Sequence, residues 1–258
     1  MSSIHYRLEN QVAWLTLQRP EVFNSFNRSM ALELQRELDA CNANAEVRCV
    51  VLTGSGKAFC AGQDLQEVVA ADGPSMQTIL QEHYNPIIRR IRALEKPVIA
   101  AVNGVAAGAG ANIALACDIV IASESASFIQ AFSKIGLIPD SGGTFFLPRI
   151  IGFQKASALM MTGEKVPATE AERLGMVYKV FSDETFLESV SQLALQLAAM
   201  PTRGLAFTKQ ALNRAMYHDL GSQLELEDRL QRMAGQTHDY QEGVQAFLEK
   251  RKPVFKGR

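Results

Sequence analysis

The sequence predicts an α/β core followed by an all-helical C-terminal part, and three observations carry that expectation. Short apolar runs without polar alternation (Val47–Thr53, Val98–Val102 and Asp118–Ala122) are bounded by turn residues and suit strands of a sheet covered on both faces. Turns rich in Gly, Ala and other small residues follow two of those runs, around Gly54–Leu65 and Asn103–Gly110, where a strand would give way to a helix. From Asp183 onward the pattern is helical only.

Taken in order, Ile4–Leu8 and Val12–Leu17 alternate well enough for a strand pair turning at Glu9-Asn10, which Arg19-Pro20 ends. Ser25 or Asn27 can cap a helix over Met30–Asn42, with Met30, Leu34, Leu38 and Cys41 on one face. After the strand Val47–Thr53 comes a tight turn, Lys57-Ala58-Phe59-Cys60-Ala61-Gly62-Gln63-Asp64-Leu65, at a strand's carboxyl end, where ligands of α/β sheets gather. Ala70–Gln77 reads as a mobile loop and Met76–Leu94 as a helix. The strand Val98–Val102 breaks at Asn103-Gly104, and Ala109–Ala116 opens an Ala-rich helix whose free N–H groups point back at the turn. Further expected elements are strands at Ser127–Gln130 and Val177–Phe181 and helices at Phe145–Ile151, Lys155–Thr162 and Thr169–Leu174. The C-terminal helices are Glu184–Ala199, Arg203–His218, Leu220–Gly235 and Tyr240–Lys250, the third with an apolar stripe of Leu220, Leu224, Leu230 and Met233. No internal repeat or low-complexity linker stands out.

Composition narrows the function. The 258 residues are 47% hydrophobic and 21% charged, ordinary for a globular protein. A net charge of −1 argues against a non-specific nucleic-acid binder, which needs clustered Lys and Arg to neutralise phosphates. The one basic cluster, Lys250-Arg251-Lys252 with Lys256 and Arg258, reads by default as a solvated terminus. Residues 1–20 lack a basic start followed by an apolar block, so no signal peptide is expected, and no apolar run approaches the roughly 20 residues of a membrane span. Cys41, Cys49, Cys60 and Cys117 show no C-x-x-C spacing and fit free thiols in the cytoplasm. The four His are scattered without ligand spacing, so no metal site is expected.

Asp140 is the sharpest single candidate. Between Pro139 and Ser141-Gly142-Gly143 it would stand at a helix N-terminus, either as its N-cap or as a catalytic acid–base group. Its apolar neighbours would raise its pKa and the helix end would lower it, which leaves the direction open. Glu124, Glu164 and Glu170 sit in polar contexts that suit the surface. Cys60 reads as a small apolar filler rather than a nucleophile, because no base is near it in sequence. Phe132, Phe145 and Phe146 could line a pocket or fill the core.

Four separated motifs, in order, resemble the enoyl-CoA hydratase/isomerase (crotonase) superfamily: Arg19-Pro20-Glu21 with Asn24, Lys57–Leu65, Lys96–Gly104 and Ile138–Thr144. The resemblance implies a crotonase-like ββα spiral over residues 1–198, a C-terminal helical trimerisation region over 199–258, and assembly as a homotrimer or dimer of trimers. It implies an acyl-CoA thioester as substrate, with coenzyme A part of that substrate and no separate cofactor. It places an oxyanion hole for the thioester carbonyl at the backbone N–H groups of Gln63 and Ala109, where family members often have Gly at the second position. It lays coenzyme A along Phe23 and the turn Ala61, Gln63, Asp64 and Leu65, and Lys250 could reach CoA phosphates from a neighbouring subunit. Family hydratases carry two Glu where this chain has Asn112 and Phe132, and typically Gly where it has Asp140. The resemblance therefore favours a single-carboxylate isomerase, with Phe132 against the acyl group; a hydratase and a non-catalytic acyl-CoA-binding protein are the alternatives.

Overall fold

A computed structural model describes residues 2–258. The chain begins with an antiparallel pair, β1 (Ile4–Glu9) and β2 (Val12–Leu17), in which Glu9 faces Val12. The turn therefore lies at Asn10-Gln11, one residue beyond its expected place, and both residues take positive φ. A 3-10 turn (Pro20–Val22) leads to α1 (Arg28–Ala43), whose N-cap is Asn27 with its side chain accepting from Met30 N at 3.0 Å.

The chain then winds. β3 (Cys49–Gly54) passes into the short β4 (Ala58–Cys60) and α2 (Leu65–Val69). A continuous helical run follows, made of α3 (Met76–Thr78), a π-helical stretch (Ile79–Tyr84) and α4 (Asn85–Ala93). β5 (Val98–Val102) passes into β6 (Val105–Ala107) and α5 (Ala109–Ala116). β7 (Ile119–Ser123) passes into β8 (Ser127–Ile129), then α6 (Gly143–Ile151) and α7 (Phe153–Thr162). Each turn of this spiral gives one strand to a six-stranded sheet, ordered β1-β2-β3-β5-β7-β10, and one to a four-stranded sheet, ordered β4-β6-β8-β9. β9 (Lys165–Pro167), α8 (Ala168–Arg173) and β10 (Lys179–Phe181) complete the two sheets.

The strands of the large sheet are apolar throughout because both faces are covered. Val50, Leu52, Val98 and Ala100 face the main core with α1, α4 and α5. The alternate residues Cys49, Val51, Ile99 and Ala101 face α9 (Phe186–Ala198) through Phe186, Val190 and Ala194. All four cysteines are free and buried. α10 (Thr202–Ala215) and α11 (Leu220–Ala234) close on a small core of Phe207, Leu226 and Leu230. Of the expected α11 stripe only Leu230 is buried; Leu220, Leu224 and Met233 are exposed, since the inward face runs through Leu226 and Leu230. The last helix is α12 (His238–Leu248). Among the described residues no helix is long and apolar enough to cross a membrane.

The basic tail keeps Lys250, Arg251, Lys252, Lys256 and Arg258 exposed, as expected of a solvated terminus, but its backbone is docked. Lys256 N and Gly257 N each donate to the buried Asp239 carboxylate at 2.7 Å, and Arg48 donates to Phe255 O at 3.0 Å. Arg251 folds back onto Glu242 and Glu249.

Candidate active site

Three parallel strands, β4, β6 and β8, lie side by side, and the segments beyond their carboxyl ends carry the candidate residues. β4 runs into the turn at Gln63, and β6 into Ala109, the first residue of α5. A 3-10 turn after β8 holds Phe132.

The first turn is fixed by the motif that precedes α1. The buried Asn24 side chain accepts from Arg19 N at 2.9 Å and donates to Ser55 O and Ala58 O at 2.9 and 2.8 Å. Arg19 bonds Ser25 O and pairs with the Asp64 carboxylate at 2.8 Å. Asp64 also caps α2 through Gln66 N, so its side chain braces the turn along which coenzyme A is expected. Phe23 is left-handed (φ 52°) and 57% exposed, its carbonyl accepting from Ala61 N at 3.0 Å. With exposed Ala61 and Leu65 it forms an apolar lip around the turn.

The second turn needs two glycines. Gly108 has φ 53° and ψ −127°, a region open essentially to glycine alone. Gly110 lies so close to the first turn that a Cβ there would sit 2.4 Å from Cys60 O and 2.7 Å from Cys60 Sγ. The start of α5 is thereby pressed against the Cys60–Gly62 backbone. Burial pushes the Cys60 thiol up to about 12, so it stays protonated and fills space, as expected.

Neither Gln63 N–H nor Ala109 N–H donates a hydrogen bond among the described residues. Their neighbours are engaged: Asp64 N donates to Phe26 O, and Gly108 N to Ile129 O, each at 2.9 Å. Two unpaired amides on adjoining turns, one at a helix N-terminus, are the donor pair an oxyanion requires. The Gln63 side chain is clamped, its Oε1 accepting from the buried Tyr84 hydroxyl at 2.9 Å and its Nε2 donating to Glu67 at 3.1 Å. Burial, above all, holds the Tyr84 phenol well above its ordinary pKa; the Asp140 carboxylate adds to the effect, so the two groups share one environment.

Asp140 does not cap a helix. Gly142 holds the N-cap position of α6 without any side-chain bond. The Asp140 carbonyl accepts from Gly143 N at 2.8 Å and from the Asn112 side-chain amide at 2.8 Å. Asn112 is fully buried in the first turn of α5, and its Oδ1 accepts from Gln130 at 2.8 Å. The residue standing at a hydratase Glu position thus ties the Asp140 loop to the helix that presents Ala109 N–H. Sequence reasoning missed this bond and the Tyr84 clamp, because both join residues far apart in the chain. Burial holds the Asp140 carboxyl above the ordinary carboxylate range, with the Ser141 hydroxyl pulling the other way. Of the apolar residues that precede it in sequence, Ile135, Leu137 and Ile138 are exposed, so its burial comes from elsewhere in the fold.

Phe132 is buried, with its ring edge 3.8 Å from where a Cβ on Gly108 would stand, so it belongs beside the second turn. Phe145 and Phe146 face elsewhere. They line a cavity of about 670 Å³ with Arg92, Asn213 and Tyr217, Phe145 stacking on Tyr217 at 5.3 Å, which none of Gln63, Ala109 and Asp140 lines. Lys250 is exposed on the C-terminal segment. That segment docks through Arg48 at the amino end of β3, whereas the turns lie beyond its carboxyl end. No cluster of His, Cys, Asp and Glu suited to a metal occurs among the described residues.

A two-sheet spiral that carries paired free amides and a desolvated carboxylate beyond the ends of its small sheet has the architecture of a crotonase-type enzyme. The enoyl-CoA hydratase/isomerase family model matches residues 7–258, and the chain belongs to that family as one of its enzymes. It is 48% identical, over the full length of both chains, to the 1,2-epoxyphenylacetyl-CoA isomerase of Escherichia coli K12. A Rhodobacter capsulatus protein named "Probable enoyl-CoA hydratase" is 47% identical over 99% of this chain and 98% of its own. The crystal structure of an enoyl-CoA hydratase from Bacillus anthracis superposes with a TM-score of 0.93 at 35% identity, covering 99% of this chain and 100% of that one.

Proposed function

We propose that this enzyme is an acyl-CoA isomerase that moves a proton along the acyl chain with Asp140 as its single acid–base group. The thioester oxygen accepts from Gln63 N–H and Ala109 N–H. The Asp140 carboxylate takes a proton from the carbon next to the thioester, breaking that C–H bond, and the electron pair passes into an enolate held by the two amides. The carboxylic acid then returns the proton two carbons away, so atoms and electrons balance without a cofactor or added water. The observation that carries this reading is the carboxylate of Asp140 without an acid at Asn112 or Phe132: Asn112 is spent on Asp140's own backbone and Phe132 has no acid to offer, so neither position supplies a partner to orient and deprotonate water for hydration.

The substrate we favour is 2-(1,2-epoxy-1,2-dihydrophenyl)acetyl-CoA, opened to a seven-membered oxepin, with double-bond shifts in enoyl-CoAs as a related activity. The 48% identity to an isomerase of that substrate and the apolar Phe132 beside the second turn support it. Coenzyme A lies along Phe23, Ala61 and Leu65, and Lys250 meets its phosphates from a neighbouring subunit. Four buried free thiols fit a reducing, cytoplasmic setting.

Asp140→Asn tests the reading. Isomerisation of a 3-enoyl-CoA is expected to fall by about a hundredfold or more, the weight of a general base, with CoA-thioester binding retained. Undiminished turnover would remove Asp140 from the mechanism. Water added to crotonyl-CoA by the parent enzyme at a comparable rate would make it a hydratase, and binding without turnover on either substrate class would make it a carrier. Because the base must be ionised and burial raises its pKa, kcat/KM is expected to rise with pH through a limb lying above the ordinary carboxylate value of about 4.

A further inference from the structure

The segment that delivers Asp140 contains a residue in an unfavourable conformation. Asp140 O accepts from Gly143 N at 2.8 Å, closing a four-residue turn whose two central residues, Ser141 and Gly142, have φ of 52° and 76°. Positive φ at both positions is the type I′ pattern, and Gly, Asn or Asp fill its first central position with least strain. Serine there is uncommon, and strain of this kind persists where surrounding structure holds it for a purpose.

The Ser141 side chain shows the purpose. Ser141 is 2% exposed, and its hydroxyl donates to Asp140 Oδ1 at 2.8 Å, its one partner among the described residues. Asp140 Oδ2 accepts no hydrogen bond among the described residues. Behind the carboxylate, the backbone carbonyl is held by Gly143 N and the Asn112 amide, so the residue cannot swing as a unit. The freedom left is rotation of the carboxylate about its own bond, and the Ser141 hydroxyl restrains it.

Resting on the isomerase reading above, we propose that Ser141 is a positioning residue: it occupies one oxygen of the Asp140 carboxylate and leaves the other as the single site that collects and returns the migrating proton. A carboxylate free to rotate would offer either oxygen at either carbon, whereas a pinned one presents the same oxygen throughout. The bond survives both halves of the cycle, since Oδ1 accepts from Ser141 whether or not Oδ2 carries the proton. It is stronger to the ionised form, so its loss makes Asp140 harder to ionise. Tyr84, from the π-helical stretch, shares these surroundings with Asp64, Glu67 and Cys60; burial keeps the Tyr84 phenol and the Cys60 thiol protonated. That leaves Asp140 and the two acidic side chains of the α2 turn to be told apart by assignment.

Ser141→Gly is the decisive variant, because glycine relieves the strained φ while deleting the hydroxyl, so folding is preserved. Thermal melting, kcat and KM for a 3-enoyl-CoA, and the kcat/KM–pH profile are measured for wild type, Ser141→Gly, Ser141→Thr and Asp140→Asn. The carbon-13 signal of the Asp140 carboxyl is titrated in the free enzyme and assigned by its absence from Asp140→Asn. For Ser141→Gly the expectation is a melting temperature at or above wild type, kcat lower by about ten- to a hundredfold with KM within about twofold, and the acid limb and carboxyl titration both moved to higher pH. Ser141→Thr keeps a hydroxyl but adds a β-branch at positive φ, so it returns the titration toward its wild-type place while lowering the melting temperature. A Ser141→Gly enzyme with wild-type kcat and an unmoved titration overturns the proposal, and so does a lowered melting temperature with no movement of the titration. If Asp140→Asn keeps full turnover, the isomerase reading is what fails, and the carboxyl titration still decides whether Ser141 holds that oxygen.

Discussion

Asn112 joins the Asp140 loop to its scaffold through one buried amide, taking a bond from Gln130 and passing one to the carbonyl of Asp140. Asn112→Ala would leave the Gln130 amide without its acceptor and the Asp140 loop on a single bond. An unsatisfied buried polar group costs about 1–3 kcal/mol, so calorimetry is expected to show melting lower by several degrees and kinetics a smaller kcat. Gly108→Ala acts on the other side of the reaction. It forces a side chain into a glycine-only conformation at a cost of about 1–3 kcal/mol and tilts the Ala109 N–H away from the oxyanion, so kcat is expected to fall more than acyl-CoA affinity. Equal losses in both would show that the amide serves binding alone. The two small-residue turns and Asp140 left local marks in the sequence, while the choice of Gln63 and Ala109 within those turns came from the family resemblance. The bonds that arm them join Asn112 to Asp140 and Tyr84 to Gln63 across long sequence separations, and no local pattern encodes such pairings.

At the level of elements, the large sheet was readable, and of the small one only β8, expected at Ser127–Gln130 and observed at Ser127–Ile129. β3, β5 and β7 are apolar runs of five or six residues, buried on both faces. β4, β6 and β9 are three residues each, too short for any period to register, and two of them fall within stretches that read as turns. Only the family resemblance implied them. The docking of the tail left no mark in the sequence, because its basic side chains stay outside while its backbone amides are captured by Asp239. Arg48 secures the same contact from within, donating to Thr202 Oγ1, Met200 O and Phe255 O. Arg48→Ala is expected to destabilise the protein by about 2–4 kcal/mol, since bonds from a charged donor are among the stronger ones, and to make residues 250–258 the first site of limited proteolysis. A tail as resistant as wild type would show that Asp239 alone suffices. Arg251 and the Val254 amide hold the Glu242 carboxyl at about 2, so this ion pair supports folding above the unfolded carboxylate pKa and is lost only as pH falls toward that value.

For the whole molecule, the spiral solves one problem and leaves another. Winding strand, short strand and helix three times buries both faces of the large sheet and lines up β4, β6 and β8, so the two amides and the acid come from successive turns of one coil. The helices at the C-terminal end have no such cover. Leu212, Tyr217, Leu220, Leu224, Val244, Phe247 and Leu248 are all exposed, at 43–82%. Scattered apolar residues on a surface are unremarkable, but side chains of this size on the packed pair α10 and α11, with others on α12, are what self-association would bury. α11 shows the division within a single helix, with Leu226 and Leu230 turned inward and Leu220 and Leu224 outward. Since the resemblance implies a trimer or a dimer of trimers, the expected mass in solution is three or six times the chain mass of 28.3 kDa, measured by light scattering. Leu220→Glu with Leu224→Glu, on the outer face of α11, is expected to shift that mass downward while leaving the spiral's circular dichroism intact. A wild-type mass of one chain would mean that these helices cover something other than a second copy, and that any contact of Lys250 with coenzyme A across subunits does not occur.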